Sequence, residues 1–145
     1  MLTHQHFSFC YLKPIFPIFA PMSFKIDKKE KFTLIKTQVE KLDTNVAPAL
    51  KSELVVLNTG GVKNIVMDLS ETRYCDSSGL SAILVANRLC KNAGGSLVIT
   101  GLQDSVVKLI NISQLDTILH IASSLDECEN IIANATIGKN GGENN

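Results

Sequence analysis

The residues best suited to carry chemistry form one short run, Asp76-Ser77-Ser78-Gly79, which follows an apolar strand and a polar loop and begins a helix. Backbone N–H groups at a helix N-terminus lack intrahelical partners, and the helix dipole favours negative charge there. A serine at this position can therefore carry a phosphate. The simpler interpretation is helix capping, for which Asp and Ser are preferred. The two are compatible: if Asp76 is the cap, Ser77 is the first helical residue and its hydroxyl is free.

The helix that begins with this run is predicted to extend from about Ser77 to Ala93 and to have two faces. Small residues on one face would let the helix lie close to a sheet; they are Gly79, Ala82, Ala86, Cys90 and Ala93. The opposite stripe contains Ser77, Ser81, Leu84, Arg88 and Lys91. Leu84 is unusual on such a face. It is either an ordinary exposed leucine or an apolar anchor for a partner beside Ser77.

Composition excludes several functions. The chain has 145 residues, of which 14 are basic and 14 acidic, and this balance argues against a nucleic-acid partner. The four cysteines form no Cys-x-x-Cys pair, which favours free thiols in the cytoplasm. Asp27, Asp43, Asp68 and Asp76 are scattered and form no oxygen-ligand loop, so no metal site is expected.

An enzymatic role for Ser77 has little support. No Gly-x-Ser-x-Gly elbow surrounds it, and the only histidines available as a base are His4, His6 and His120. The chain also lacks a Gly-x-x-x-x-Gly-Lys-[Ser/Thr] loop of its own. We therefore expect a protein that is not an enzyme and that holds no cofactor.

The elements around the run alternate between strands and helices, which predicts an α/β layer structure. Strands are expected at 24–27, 32–38, 65–67, 96–100 and 118–121, the first two forming an antiparallel hairpin. The predicted fold is one domain with a mixed β-sheet of four to five strands and about four helices. Expected helix caps are Asp43 or Thr44, Asp104 or Ser105, and Ser123 or Ser124. Asp43 could instead lie on the same sheet edge as Ser77.

Both termini differ from the middle of the chain. Residues 1–21 are apolar and aromatic but interrupted by Lys13, Pro14 and Pro17, which is unsuitable for a transmembrane helix or a secretory signal. We expect this segment to be disordered or to precede a true translation start at Met22. The domain should cover 22–136, and the Gly- and Asn-rich residues 137–145 should form a flexible tail.

Two runs of residues resemble the signature of anti-sigma factor antagonists, a branch of the STAS family. The first is the strand Val66-Met67-Asp68 followed by Leu69-Ser70, and the second is Cys75-Asp76-Ser77-Ser78-Gly79-Leu80. Other matching features are Leu42-Asp43 before the first helix, Ala93-Gly94-Gly95 before a strand, and Gly101-Leu102 before a short helix. The resemblance covers about 23–135.

The resemblance implies a protein that binds an anti-sigma factor and so releases a sigma factor. The anti-sigma factor would also be a serine kinase, supplied with its own ATP and magnesium, that inactivates the antagonist by phosphorylating Ser77, with Ser78 as second choice. A serine phosphatase would restore binding. The implied partner-binding residues are Asp43, Asp76, Ser77, Ser78, Gly79, Ser81, Leu84 and Arg88. Neither nucleic-acid binding nor membrane insertion is expected.

A different function is compatible with the same fold. STAS domains also serve as subunits of lipid-transport ATP-binding-cassette systems and as modules of anion transporters or sensory complexes. There the domain is a regulatory partner and its serine need not be phosphorylated. The intact pair Ser77-Ser78, with no transporter or sensor domain attached, favours the sigma-factor branch.

Overall fold

The computed structural model describes residues 24–142. In chain order the elements are β1 (Phe24–Lys28), β2 (Thr33–Thr37), β3 (Lys41–Leu42), α1 (Ala47–Thr59), β4 (Ile65–Asp68), β5 (Tyr74–Cys75), α2 (Ser77–Asn92), β6 (Leu97–Thr100), α3 (Asp104–Ile112), a 3-10 turn (Leu115–Thr117), β7 (His120–Ala122) and α4 (Leu125–Gly142).

The main sheet has five strands in the order β1-β2-β4-β6-β7. β1 and β2 form an antiparallel hairpin, and every other neighbouring pair is parallel. The predicted mixed sheet, its opening hairpin and the four helices are therefore confirmed. β3 and β5 pair in parallel as a separate two-stranded sheet, which the sequence did not predict.

Alternation along the central strands divides the core into two layers. Met67 of β4 and Ile99 of β6 are fully buried in the larger cluster, which also contains the apolar faces of α1 and α2. Their neighbours Val66 and Val98 point to the other face, where they pack with Cys128 of α4. Successive side chains of a strand point to opposite faces, so strands covered on both sides are apolar throughout.

The first helix begins later than the sequence predicted. α1 starts at Ala47 with Val46 at the N-cap, and no side chain caps it. Asp43 and Thr44 are therefore not its caps. Pro48 explains the difference: a proline lacks the N–H that a helix interior requires, so it must lie in the first turn. Asp43 instead accepts the backbone N–H of Asn45 at 3.0 Å, forming a local turn before the helix.

The other two capping predictions have different outcomes. Ser124 Oγ accepts the Glu127 N–H at 3.2 Å, and the Glu127 carboxylate accepts the Ser123 hydroxyl at 2.6 Å, so both serines stabilise the start of α4. For α3 the prediction was wrong. Asp104 is its first residue, and Gln103 stands at the N-cap without a side-chain cap.

The C-terminal end of the domain differs from the prediction. α4 continues to Gly142, so residues 137–142 of the predicted tail belong to this helix rather than following it. The prediction for residues 1–21, including the alternative start at Met22, lies outside the described residues. Within 24–142, no helix has the length and apolarity needed to cross a membrane.

Candidate functional site

Asp76 caps α2. Its Oδ1 accepts the N–H groups of Ser78 at 2.9 Å and Gly79 at 3.0 Å, and its carbonyl accepts the N–H of Leu80 at 3.0 Å. The residue has the extended backbone typical of an N-cap, and Ser77 is the first helical residue. The predicted cap, Asp76, and the predicted first helical residue, Ser77, are both confirmed. The cap satisfies two of the four backbone donors that the start of a helix leaves unpaired.

Ser77 is the exposed residue at this helix end. Among the described residues, neither its hydroxyl nor its backbone N–H has a hydrogen-bond partner. Ser78 is half-buried and Gly79 is buried. The predicted accessibility of the Ser77 oxygen is confirmed. The two serines therefore differ in access, although both are adjacent to the same cap.

The small β3–β5 sheet brings Asp43 and Asp76 to the same edge. Leu42 pairs with Cys75, so the residues after each strand emerge side by side. The Asp76 N–H donates to the Leu42 carbonyl at 3.3 Å, and the Thr44 hydroxyl approaches Asp76 Oδ2 at 3.5 Å. Asp43 therefore lies beside Asp76, the residue that precedes Ser77.

Gly79 permits a very close approach between α2 and this sheet. A Cβ atom at position 79 would lie 2.3 Å from the Leu42 carbonyl oxygen and 2.6 Å from Cys75 Sγ. Both distances are shorter than any real Cβ contact, so only glycine fits without displacement of the backbone. Gly79 thus belongs to the site as a packing requirement that fixes the start of the helix.

The loop between β4 and β5 is held by long-range hydrogen bonds. The buried hydroxyls of Thr37 and Thr72 lie 2.8 Å apart, and Thr72 also donates to the Val39 carbonyl at 2.8 Å. The Arg73 N–H donates to the Glu40 carbonyl at 2.8 Å. Because the loop is anchored at several points, Asp76 is held in a fixed position, and capping of α2 requires this position.

A cleft of about 450 Å³ lies beside the cap. Its walls are Glu40, Lys41, Asp43, Tyr74, Cys75 and Asp76. Sequence analysis had identified only Asp43 and Asp76 among these residues. No periodic pattern marks the others, because β3 and β5 have two residues each. Among residues 24–142, no group of His, Cys, Asp or Glu is arranged to hold a metal ion.

The remaining predicted contact residues lie along α2. Arg88 is exposed and Ser81 is half-buried. Leu84 is half-buried as well and lies outside the buried face, so its side chain is only partly exposed. The buried face contains the predicted Ala82, Ala86 and Cys90, together with Ile83, Leu80 and Asn87. Packing of α1 against α2 covers more of the helix than an isolated helical wheel indicates.

Burial determines the state of the Cys75 thiol. Desolvation, and secondarily the negative charge of Asp76, raise the pKa of Cys75 from 9.0 to about 11. A thiol with this pKa stays protonated at neutral pH and is a poor nucleophile. Its role in the cleft is therefore packing against Gly79 and the core.

Residues 23–128 match the STAS domain family, and the chain belongs to this family. The anti-sigma-B factor antagonist of Bacillus subtilis is 28% identical over 103 residues, which is 70% of this chain and 94% of the relative.

Solved structures show the same fold. An anti-sigma factor antagonist from Mycobacterium paratuberculosis has a TM-score of 0.67 at 19% identity, covering 79% of this chain and 97% of its own. The Bacillus cell fate determinant SpoIIAA in its phosphorylated form has a TM-score of 0.59 at 16% identity, covering 74% and 98%.

The close approach at Gly79 can be tested by Gly79→Ala. The added methyl group must displace the Leu42 carbonyl or the helix start, and overpacking of this kind costs about 1–3 kcal/mol of unfolding free energy. Urea denaturation measures the loss. Gly60→Ala is the matched control, because a Cβ there makes ordinary contacts at 3.5 Å. Equal stability of the two variants would contradict the close approach.

The raised pKa of Cys75 predicts slow alkylation near neutral pH. The rate of iodoacetamide labelling at Cys75, followed by peptide mass spectrometry, should rise with pH around a midpoint of about 11, not 9.0. Asp76→Asn keeps a capping side chain but removes the negative charge, so its midpoint should be lower. A wild-type midpoint near 9.0 would show that the thiol is not desolvated.

Proposed function

We propose that this chain is an anti-sigma factor antagonist, which binds an anti-sigma factor and thereby frees a sigma factor. Membership of the STAS family supports the proposal, as does the curated relative of the same function that aligns over most of its length. The observation that carries it is the exposed Ser77 hydroxyl, presented at a capped helix N-terminus beside a cleft.

We further propose that the partner is also a serine kinase and that it phosphorylates Ser77. The Ser77 oxygen would bond to the terminal phosphorus of ATP as the bond from that phosphorus to the β–γ bridging oxygen breaks and ADP leaves, and a base of the kinase would take the hydroxyl proton. ATP and magnesium belong to the kinase in this scheme. A serine phosphatase would hydrolyse the phosphoserine. Because the proposed kinase needs ATP, the switch would operate in the cytoplasm.

The geometry favours Ser77 over Ser78 as the phosphorylated residue. In-line transfer requires the acceptor oxygen to approach the nucleotide closely, and the exposed Ser77 allows this approach. Ser78 is half-buried and is therefore less accessible to the nucleotide than Ser77. Ser78 stays the second choice.

Phosphorylation should act at the interface rather than on the fold. A phosphate adds about −1.5 to −2 charges, and at a helix N-terminus this charge is tolerated or stabilising. In the kinase complex, however, the new phosphate would face the nucleotide from which it came. Like charges at an interface cost several kcal/mol, whereas a hundredfold loss of affinity needs only about 2.7 kcal/mol.

The contact surface that we propose surrounds Ser77. Asp76 and Gly79 fix the helix start, Asp43 lies across the cleft, and Ser81, Ser78, Leu84 and Arg88 continue the surface along α2. The transporter-subunit alternative uses the same fold. We favour the antagonist because the curated relatives that align over most of their length are anti-sigma-B factor antagonists.

The choice of phosphosite can be tested directly. Wild type, Ser77→Ala and Ser78→Ala are incubated with the anti-sigma factor kinase of the same genome and MgATP, and the intact masses are measured. We expect one phosphate on the wild type and on Ser78→Ala, and none on Ser77→Ala. Modification that persists in Ser77→Ala and disappears in Ser78→Ala would reverse the assignment.

The proposed mechanism of switching predicts that Ser77→Asp keeps its fold and loses its partner. Its helical circular dichroism should equal that of the wild type, because an acid is favourable at this helix position. Affinity for the kinase, measured by calorimetry with nucleotide present, should fall by at least about tenfold. Ser52→Asp, an exposed position in α1, is the control and should bind normally. Loss of helix signal in Ser77→Asp would refute switching at the interface.

A further inference from the structure

We infer that Tyr74, with Lys41 beside it, is a second anchor of the partner interface. The inference rests on the proposed function and adds residues outside the serine motif. Tyr74 is 56% exposed and lies two positions before the cap Asp76. It lines the same cleft as Asp43 and Asp76.

The two-stranded sheet explains why this ring points outward. Lys41 pairs with Tyr74 and Leu42 pairs with Cys75, in parallel register. Alternation along each strand directs one pair away from the core and the other into it. Leu42 is fully buried and Cys75 packs against the core, whereas Lys41 and Tyr74 are both exposed. The outward position of Tyr74 is therefore fixed by its backbone.

Lys41 lies beside the Tyr74 ring and is not neutralised by a carboxylate of the described residues. Its ammonium lies 5.9 Å from the centre of the Tyr74 ring, within the range of a cation–π interaction. Among the described residues, the only ion pairs are Lys29–Asp27 and Lys36–Glu71, so the Lys41 charge has no ionic partner there. A carboxylate from another protein could approach it.

These features specify the chemistry of the partner surface. It should offer an apolar depression for the Tyr74 ring, bordered by a carboxylate that pairs with Lys41. Continuity supports the kinase as the occupant, because the patch shares the cleft with Asp43 and Asp76 and adjoins Ser77 in the chain. Tyrosine residues that pass from an exposed state into a partner pocket often dominate binding energy.

The test measures affinity for the kinase of the same genome by calorimetry. Tyr74→Thr removes the ring and keeps strand propensity, so affinity should fall by at least about tenfold. Tyr74→Phe keeps the ring and should bind within about threefold of the wild type. Lys41→Met should weaken binding by an intermediate factor. The matched control is Val56→Thr, an exposed apolar residue of α1, which should bind normally.

Phosphorylation kinetics provide a second measurement. Tyr74→Thr leaves Ser77 and its cap intact, so KM should rise while kcat is retained. Wild-type affinity in Tyr74→Thr would overturn the inference and leave the proposed function intact. If the wild type itself neither binds nor is phosphorylated by the kinase, the proposed function fails and the inference fails with it. Circular dichroism of each variant confirms that loss of binding is not loss of fold.

Discussion

The structure of the site depends on the contact between the start of α2 and the two-stranded β3–β5 sheet. Gly79 lies against the Leu42 carbonyl at a distance that no Cβ would permit, and the Asp76 N–H donates to the same carbonyl. Asp76 then caps the helix through its own carboxylate. A side-chain cap and a steric constraint thus act within the first turn of the helix, and together they fix where the helix begins.

This arrangement separates capping from reactivity. An N-cap side chain accepts hydrogen bonds from backbone N–H groups, so the oxygen of a serine at that position would be held against the helix start. Because Asp76 takes the capping role, Ser77 keeps an exposed oxygen at the position where the dipole favours an anion. Addition of a phosphate to the Ser77 oxygen would therefore break no side-chain hydrogen bond among the described residues. Under the proposed function the helix would stay stable with and without the phosphate, and the two states would differ in the charge of the surface around Ser77.

The sequence predicted those parts of the fold that depend on local pattern. The strands, the helix from Ser77 and the cap Asp76 follow from hydrophobic periodicity and capping preference. The missed features depend on residues far apart in the chain. Pairing of Lys41 with Tyr74 leaves no periodicity in two-residue strands. At the start of α3, the Gln103 side chain donates a hydrogen bond to the Ser70 carbonyl and the Ser105 hydroxyl donates one to the Arg73 carbonyl. These two hydrogen bonds anchor the neighbouring loop.

The two short strands β3 and β5 also place the proposed partner-binding patch close to the proposed phosphorylation site. Their inward pair, Leu42 and Cys75, packs against Gly79 and fixes the helix start, while their outward pair, Lys41 and Tyr74, forms a patch beside the cleft. Tyr74 lies three residues before Ser77 and lines the same cleft as Asp76, so a partner bound to the patch would lie next to Ser77. Under the proposed function, a phosphate on Ser77 cannot avoid the interface. The kinase must bind in order to transfer the phosphate, and the phosphate would then weaken the complex by like-charge repulsion at the interface, without any change of fold.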